Sequence, residues 1–323
     1  HLLIMTEKPL VSILLPTFNR GHLLPFAVES VVQQTYANWE LLIWNDGSSD
    51  ETEAILRSFT DPRIRYFSEP NYGKPYALNR ALYYSNGDLI AFLDDDDQWL
   101  PGKLALQVSF LNENPKVDLT FGNYRNVDKA TDREEDGFAQ SAAGLASLQT
   151  ASAPLNFKQI TGGWLENVAM DNFIAMDTVI LRRSLLDEIG SFNESLQRAE
   201  DFEFWWRAGL AGASIAYTDE VLLVRNKYPG GLSTSSVQTL TGTLHTLNAC
   251  AEASRRVDRE ETIQFLRPSY RNLWQNLITA YGLKGDLPLA FKAFTQANHY
   301  GLQLGSFSTL LGAFYATVKR KEN

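Results

Sequence analysis

The chain of 323 residues has a single cysteine, Cys250, which excludes an internal disulfide and fits a reducing compartment. It has no run of eighteen apolar residues, so no membrane-spanning helix is expected. It also lacks a basic excess. The formal net charge is −9, whereas a nucleic-acid binder would want a basic face, so no nucleic-acid partner is expected. What remains is a hydrophobic content of 44%, enough to bury a large core, and the length suggests one big domain plus an appendage. His1-Leu2-Leu3-Ile4 before Met5 reads as extraneous to the fold, and residues 1–8 are set aside as a leader. A cytoplasmic location follows as the expectation.

The stretch that organises the rest is Leu89-Ile90-Ala91-Phe92-Leu93 followed by Asp94-Asp95-Asp96-Asp97. An apolar, β-prone run ending abruptly in acid reads as a buried strand emptying into a turn. Four consecutive carboxylates repel one another in a low-dielectric cleft, and a hard cation relieves that repulsion. Carboxylate oxygens are the ligands Mg²⁺ and Mn²⁺ prefer, with substrate phosphates completing the shell. An acid run can equally be a solvated turn. Trp99-Leu100-Pro101 after it opens an amphipathic helix, however, and so fixes the acids on a strand-to-helix turn.

Upstream, Val11 to Leu15 is a short apolar strand followed by the turn Pro16-Thr17-Phe18-Asn19-Arg20. Leu23 to Gln34 has helical spacing. A strand Leu41 to Trp44 then ends in Asn45-Asp46-Gly47-Ser48-Ser49-Asp50. Ser48 with Glu51 three residues on predicts a capping box opening a helix over Thr52 to Phe59. Arg63 to Phe67 reads as a strand, and Gly73-Lys74-Pro75 starts a helix to Tyr84. Strands alternating with helices over the first 125 residues predict an α/β, doubly wound, mostly parallel sheet. In such sheets ligands bind outside the carboxyl ends of the strands, so the turns at Phe18, Asp46 and Asp94 to Asp97 should gather on one rim.

Further on, helix Pro101 to Asn114 and strand Val117 to Phe121 are followed by a stretch, Asp128 to Ala153, with little periodicity. A loop of that length in a compact domain is usually a lid, a binding segment or disordered. Thr178 to Leu181 reads as strand, and Ser184 as the cap of a short helix ending at Gly190. Glu200-Asp201 opens a helix through Gly209, and Ala213 to Tyr217 and Val221 to Val224 read as closing strands. Tyr228-Pro229-Gly230-Gly231 marks the end of this unit, placing a domain at residues 9–236. From 237 to 323 the pattern is helical. Leu273 to Tyr281, a Gly285-Asp286 break and Ala290 to Ala297 make a hairpin resembling one tetratricopeptide pair, read as an appendage packed on the first domain.

Four of these segments, in this order and spacing, resemble the inverting family 2 glycosyltransferases of the GT-A fold. They are Pro9 to Arg20, Trp44 to Asp50, Leu93 to Pro101, and Glu200-Asp201 ahead of Trp205-Trp206-Arg207. The resemblance covers residues 9 to 235. It implies a nucleotide site at Pro16, Thr17, Phe18, Asp46, Lys74 and Asp95. In that site Phe18 stacks on the base, Asp46 accepts from the uracil imide, Asp95 meets the ribose and Lys74 offers a cation to the diphosphate. Asp96 is implied as the direct ligand of Mn²⁺ or Mg²⁺, with Asp94 orienting the site through water. Asp97 and Lys103 are read as structural. Asp201 is the implied catalytic base, at a helix N-terminus where the dipole favours a negative charge. Glu200, and Trp205 four residues along the same face, are candidates for the acceptor side.

Each position has a plainer reading: a core Phe at a strand end, an Asx-turn Asp, an exposed Lys, a helix-capping acid, a core Trp. Two departures stand out. Arg225 to Gly231 holds no histidine where the family often has one near the pyrophosphate, so Lys227 or Tyr228 would substitute. The arginine-tryptophan signature of processive synthases is also absent, which favours addition of a single sugar.

The function implied is inverting, metal-dependent transfer from a nucleotide-diphosphate sugar, UDP-linked, to a glycan or lipid-linked acceptor. The expected setting is cell-surface glycan or glycolipid synthesis. A sugar nucleotidyltransferase would normally show a Gly-rich, basic loop after the first strand, which is missing. A non-catalytic nucleotide-sugar-binding scaffold is countered by the presence of Asp96 and Asp201. Leu304, Phe307, Leu311, Phe314 and Val318 form an apolar stripe followed by Lys319-Arg320-Lys321. That pattern suits either packing on the hairpin or peripheral contact with the inner face of a membrane.

Overall fold

The computed structural model describes residues 8–228 and 237–299. Its sheet contains β1 (Val11–Thr17), β2 (Trp39–Asp46), β3 (Ile64–Glu69), β4 (Leu89–Phe92), β5 (Gln98–Trp99), β6 (Leu119–Asp128), β7 (Arg133–Asp136), β8 (Gln149–Ser152), β9 (Phe157–Gly162), β10 (Ile180–Arg182) and β11 (Ile215–Lys227). The strand order is β3-β2-β1-β4-β10-β6-β11-β9-β8, with β5 on β11 and β7 on β6. β1, β2 and β4 are buried along their whole length, as near-continuous apolar runs must be when helices cover both faces of a parallel sheet. The N-terminal half, from β3 through β4, is parallel, and so is the β6–β11 pair. β10 runs antiparallel to both β4 and β6 and joins the two halves.

Strand order reverses at β1. The chain winds outward through β2 and β3, then crosses back to lay β4 on the other side of β1. The crevice between the carboxyl ends of β1 and β4 is where such a sheet takes its ligand.

The helices of this region are α1 (Leu24–Val32), α2 (Thr52–Leu56), α3 (Lys74–Tyr83), α4 (Lys103–Glu113), α5 (Gly137–Gln140), α6 (Ala142–Ala146), α7 (Trp164–Met170), α8 (Arg183–Ile189) and α9 (Glu200–Leu210). Several expectations are corrected. The predicted capping box is absent: Asp50 Oδ1 accepts from the Thr52 N–H at 3.1 Å, while Ser48 Oγ accepts from the Asn19 N–H at 2.9 Å. The carboxylate is the stronger acceptor, and it frees Ser48 to tie two turns together. Ser184 lies inside α8 and is not its cap. The two predicted closing strands are one, β11, interrupted by register shifts between Thr218 and Leu223.

The stretch from Asp128 to Ala153 is not a long loop. It forms β7, α5, α6 and β8, held at its centre by Asn123. Asn123 Nδ2 donates to Asp136 at 2.8 Å, and its Oδ1 accepts from the Phe138 N–H at 3.0 Å. Phe138 then packs against Phe121, Tyr124 and Tyr217. Elements of four or five residues are too short to show a period.

Beyond residue 237 the chain forms α10 (Val237–Arg256), α11 (Ile263–Lys284) and α12 (Leu287–His299). Gly285, at φ 79°, ends α11 in the left-handed conformation that glycine adopts without strain. Trp206 Nε1 donates to Ser254 at 3.1 Å, Thr246 Oγ1 to the Arg198 carbonyl at 2.6 Å, and Ser269 Oγ to the Ala169 carbonyl at 2.6 Å. The buried side chains of the sheet region and of these helices form one continuous cluster. No described helix is long and apolar enough to cross a membrane. Residues 1–7 of the leader, Pro229 to Gly231 and the stripe from Leu304 to Val318 lie outside the described residues.

Candidate active site

The three turns meet on one rim. Thr17 Oγ1 donates to Asp95 at 2.7 Å, across the β1–β4 crevice, and Arg20 Nη1 reaches Asp95 at 3.3 Å and also bonds Asp96. Lys74 Nζ lies 2.6 Å from Asp94 and 3.8 Å from Glu200, joining the rim to the start of α9. Behind them Asp177, in a 3₁₀ turn over Met176–Thr178, accepts the Asp94 N–H at 2.6 Å. Asn226 donates its N–H to Asp97 at 2.9 Å and its side-chain amide to the Asp96 carbonyl at 2.7 Å.

A cleft of about 780 Å³ opens here. Lys74, Asp94, Asp177, Glu200, Asp201 and Arg225 all line it.

The electrostatics are those of crowded carboxylates. Burial, reinforced by Asp96 and Asp94, pushes Asp95 up to about 7 although Thr17 and Arg20 oppose it. Burial and then Asp94 push Asp177 up to about 7 as well. Asp97 is raised by burial and then by Asp177. Burial also acts to raise Asp94, but Lys74 outweighs it and holds that carboxyl below its usual range. Lys74 is held protonated by Asp94 and Glu200 against its desolvation. Five aspartates therefore share three cations, Arg20, Lys74 and Arg225.

Among the described residues no group of three or more His, Cys, Asp or Glu side chains is arranged so that it could hold a metal ion by itself. The surplus of carboxylate is nonetheless what a divalent, oxygen-liganded cation relieves. Asp94 and Asp96 have side chains 33% and 21% exposed at the mouth of the turn, so they fit such an ion once phosphates complete its shell.

The sequence-predicted residues fall into groups. Phe18 is 45% exposed at the end of β1, a placement suited to stacking. Pro16 and Thr17 are buried behind the rim, the Thr17 hydroxyl already committed to Asp95. Asp46 is buried, and its two oxygens accept the N–H groups of Tyr72 at 2.8 Å and Gly73 at 3.0 Å. Asp201 stands in the first turn of α9, where its Oδ2 accepts from Asn172 at 3.2 Å. Glu200 is instead turned to Lys74.

Trp205 as an acceptor platform is overturned. It is 0% exposed and packs edge-on to Phe204, because α9 dives into the core after its first turn. Lys103 is buried, with its amine 4.2 Å over the Trp99 ring and its pKa pushed far down by desolvation. Asp177, Arg20 and Arg225 were missed as site residues. Arg20 and Arg225 stood in segments already singled out, whereas Asp177 carries no local signal.

A doubly wound sheet with an acidic rim at its switch point defines the class of α/β proteins that take their ligand in that crevice. Residues 12–176 match glycosyl transferase family 2, and the chain belongs to that family. Membership sets aside the nucleotidyltransferase alternative. The chain is 43% identical over 119 residues to UDP-Glc:alpha-D-GlcNAc-diphosphoundecaprenol beta-1,3-glucosyltransferase WfgD of Escherichia coli. That match covers 36% of this chain and 47% of WfgD, so the chain spans less than half of that relative. Among solved structures it resembles S. aureus TarS 1-349 in complex with UDP, with a TM-score of 0.60 at 18% identity, covering 97% and 92% of the two chains. It also resembles the mannosyltransferase PcManGT of Pyrobaculum calidifontis in complex with GDP-Man and Mn²⁺, with a TM-score of 0.57 at 17% identity, covering 97% and 81%.

Proposed function

We propose that the chain moves one sugar from a UDP-sugar to an acceptor hydroxyl, with inversion at the anomeric carbon, in the synthesis of cell-surface glycan or glycolipid. The observation that carries this reading is that Lys74, Asp94 and Asp201 line one cleft. The names of WfgD and of the TarS complex support the UDP donor and a lipid-linked acceptor.

Asp201 takes the proton of the acceptor hydroxyl, and Asn172 orients its carboxylate. The acceptor oxygen bonds to the anomeric carbon from the face opposite the nucleotide as the bond from that carbon to the diphosphate breaks. Lys74 and Arg20 supply fixed positive charge where negative charge builds on the leaving group. Asp96 and Asp94 would hold Mn²⁺ or Mg²⁺, which when bound neutralises part of the same charge. Phe18 offers a face to the base, Asp95 stands at the ribose, and Asp201 rather than Glu200 is the base because Glu200 is committed to Lys74.

The test separates the two carboxylates. Asp96→Ala is expected to weaken metal-dependent nucleotide binding together with turnover. Asp201→Asn should leave UDP affinity within about threefold while cutting transfer by about 10²-fold or more, the scale of a lost general base. A folded, nucleotide-competent Asp201→Asn with near-normal transfer would move the base elsewhere, first to Glu200. In a calorimetric screen with Mn²⁺, UDP is expected above GDP, and the reverse order overturns the donor assignment.

The sequence pattern of residues 304–321 supports a second element of the reading, peripheral membrane contact. The full chain should float with anionic liposomes at low salt while a chain cut after Gly301 does not. Equal failure to float would leave that segment without a membrane role.

A further inference from the structure

We propose that Tyr72 is a second aromatic wall of the nucleobase pocket, opposite Phe18, and that Asp46 is the anchor of the arm carrying it. The inference rests on the nucleotide-donor reading above and adds to it a residue that the family motifs do not mark.

Tyr72 lines the cleft with 60% of its surface exposed, yet little about it is free. Its backbone N–H and that of Gly73 are both taken by the Asp46 carboxylate. Gly73 turns the chain at φ 94°. Gly47 lets the arm pass so closely that a Cβ there would stand 2.7 Å from the Asn71 nitrogen. The Tyr72 ring lies 4.7 Å from the ring of Tyr76, tilted by 49°. Tyr76 is fixed in turn, because it sits on α3 and its hydroxyl donates to Glu69 at 2.7 Å. An exposed aromatic held at the backbone by a buried carboxylate, and at the ring by an anchored neighbour, has already lost the freedom that binding would otherwise cost it.

The sheet sets the spacing. β1, β2 and β3 are neighbours, with Phe18 one residue past the end of β1 and Tyr72 three past the end of β3. Strands two apart are separated by about 10 Å. Paired rings sit with centroids about 4.5–7 Å apart, so walls about 9–14 Å apart hold one planar ring, a range that includes the strand spacing from which the two residues extend. Asp46 ends the strand between, so its negative charge goes into fixing the arm.

A nucleobase and a sugar face can both lie on a tyrosine, and the test separates them. UDP and uridine would be titrated calorimetrically, with Mn²⁺, into wild type, Tyr72→Ala and Tyr72→Phe, and inorganic pyrophosphate with Mn²⁺ would serve as control. Tyr72→Ala should weaken UDP and uridine alike by about tenfold to a hundredfold, the range for losing one stacked base. Tyr72→Phe should stay within about twofold, and pyrophosphate binding should not change. Asp46→Asn should weaken UDP in the same direction, because it puts an amide against two N–H donors. Unchanged UDP affinity in Tyr72→Ala, with wild type binding normally, overturns this proposal alone. Loss seen only with the complete UDP-sugar would place the ring on the sugar and also overturn it. Failure of wild type to bind any nucleoside diphosphate would remove the donor reading and this proposal with it.

Discussion

Asp201 and Trp205 stand four residues apart on one helix, and the protein uses them in opposite ways. Asp201 is in the first turn, open to the cleft, whereas Trp205 has no exposed surface. Trp205→Ala should therefore act on stability, costing about 3–5 kcal/mol as large-to-small changes in cores do. A thermal melt would show this as a fall of roughly 6–20 °C, and an unshifted melt with weakened acceptor binding would restore the platform role. Glu40 makes a second prediction at this scale. It accepts from Ser12 Oγ at 2.6 Å and from the Asn86 backbone, with Arg65 at 3.4 Å. Burial acts to raise its pKa, but those bonds and the charge of Arg65 prevail and the group lies below its ordinary 4.5. A depressed carboxyl gives stability that is present above the unfolded pKa and lost as pH falls through the folded one. Glu40→Gln should thus be less stable than wild type by about 1.5–3 kcal/mol at pH 7. Denaturant titrations should show that gap closing below pH about 4.5, and a gap constant with pH would refute the ionic account.

At the scale of elements, Arg207 is the part to test. Its guanidinium forks onto both oxygens of Glu203, at 2.8 and 3.0 Å. The same group donates to the carbonyls of Ile189, the last residue of α8, and of Gly190 and Ser191 after it. It thereby sets where α9, and with it Asp201, enters the cleft. A lysine cannot reproduce the fork. Arg207→Lys should lower the melting temperature by several degrees and reduce transfer while UDP affinity is kept. Equal loss of both would tie Arg207 to the whole fold and not to the acceptor wall.

The elements also show what sequence could and could not disclose. The buried strands and the turns after them were readable because long apolar runs and Asp/Gly/Ser clusters are local signals. The 3₁₀ turn with Asp177 and the β7–α6 segment were not, being shorter than any period, whereas β10 was readable within two residues of its bounds from Thr178-Val179-Ile180-Leu181. The Asp94–Asp177 bond joins residues 83 apart, and no local pattern encodes such a partner. Asp46 was read as a ligand contact because its motif was recognised. Its bonds to Tyr72 and Gly73 become visible only when β2 and β3 lie side by side.

At the scale of the molecule, the described helices α10 to α12 do not form a separate body. α10 covers α9 and α11 covers α7, and Trp206, with its ring fully buried, donates to Ser254 of α10. A chain ending at residue 228 should therefore expose Trp206 and its neighbours. We expect it to bind a hydrophobic dye and to aggregate, and the full chain to unfold in one calorimetric transition. Two separated transitions would show that the helices fold on their own.

The reversed strand β10 has a consequence for how the protein is born. β4 and β6 are synthesised well before the residues that fill the gap between them. Until Ile180–Arg182 leave the ribosome, both strands present an open apolar edge, the kind of surface that pairs wrongly or recruits chaperones. Phe18, Asp46, Tyr72 and the acidic turn all precede that moment, while Asp201 follows it. If the proposed donor site is right, its residues are made before the proposed base, and a nucleoside diphosphate present during synthesis should raise the folded yield of the half most at risk.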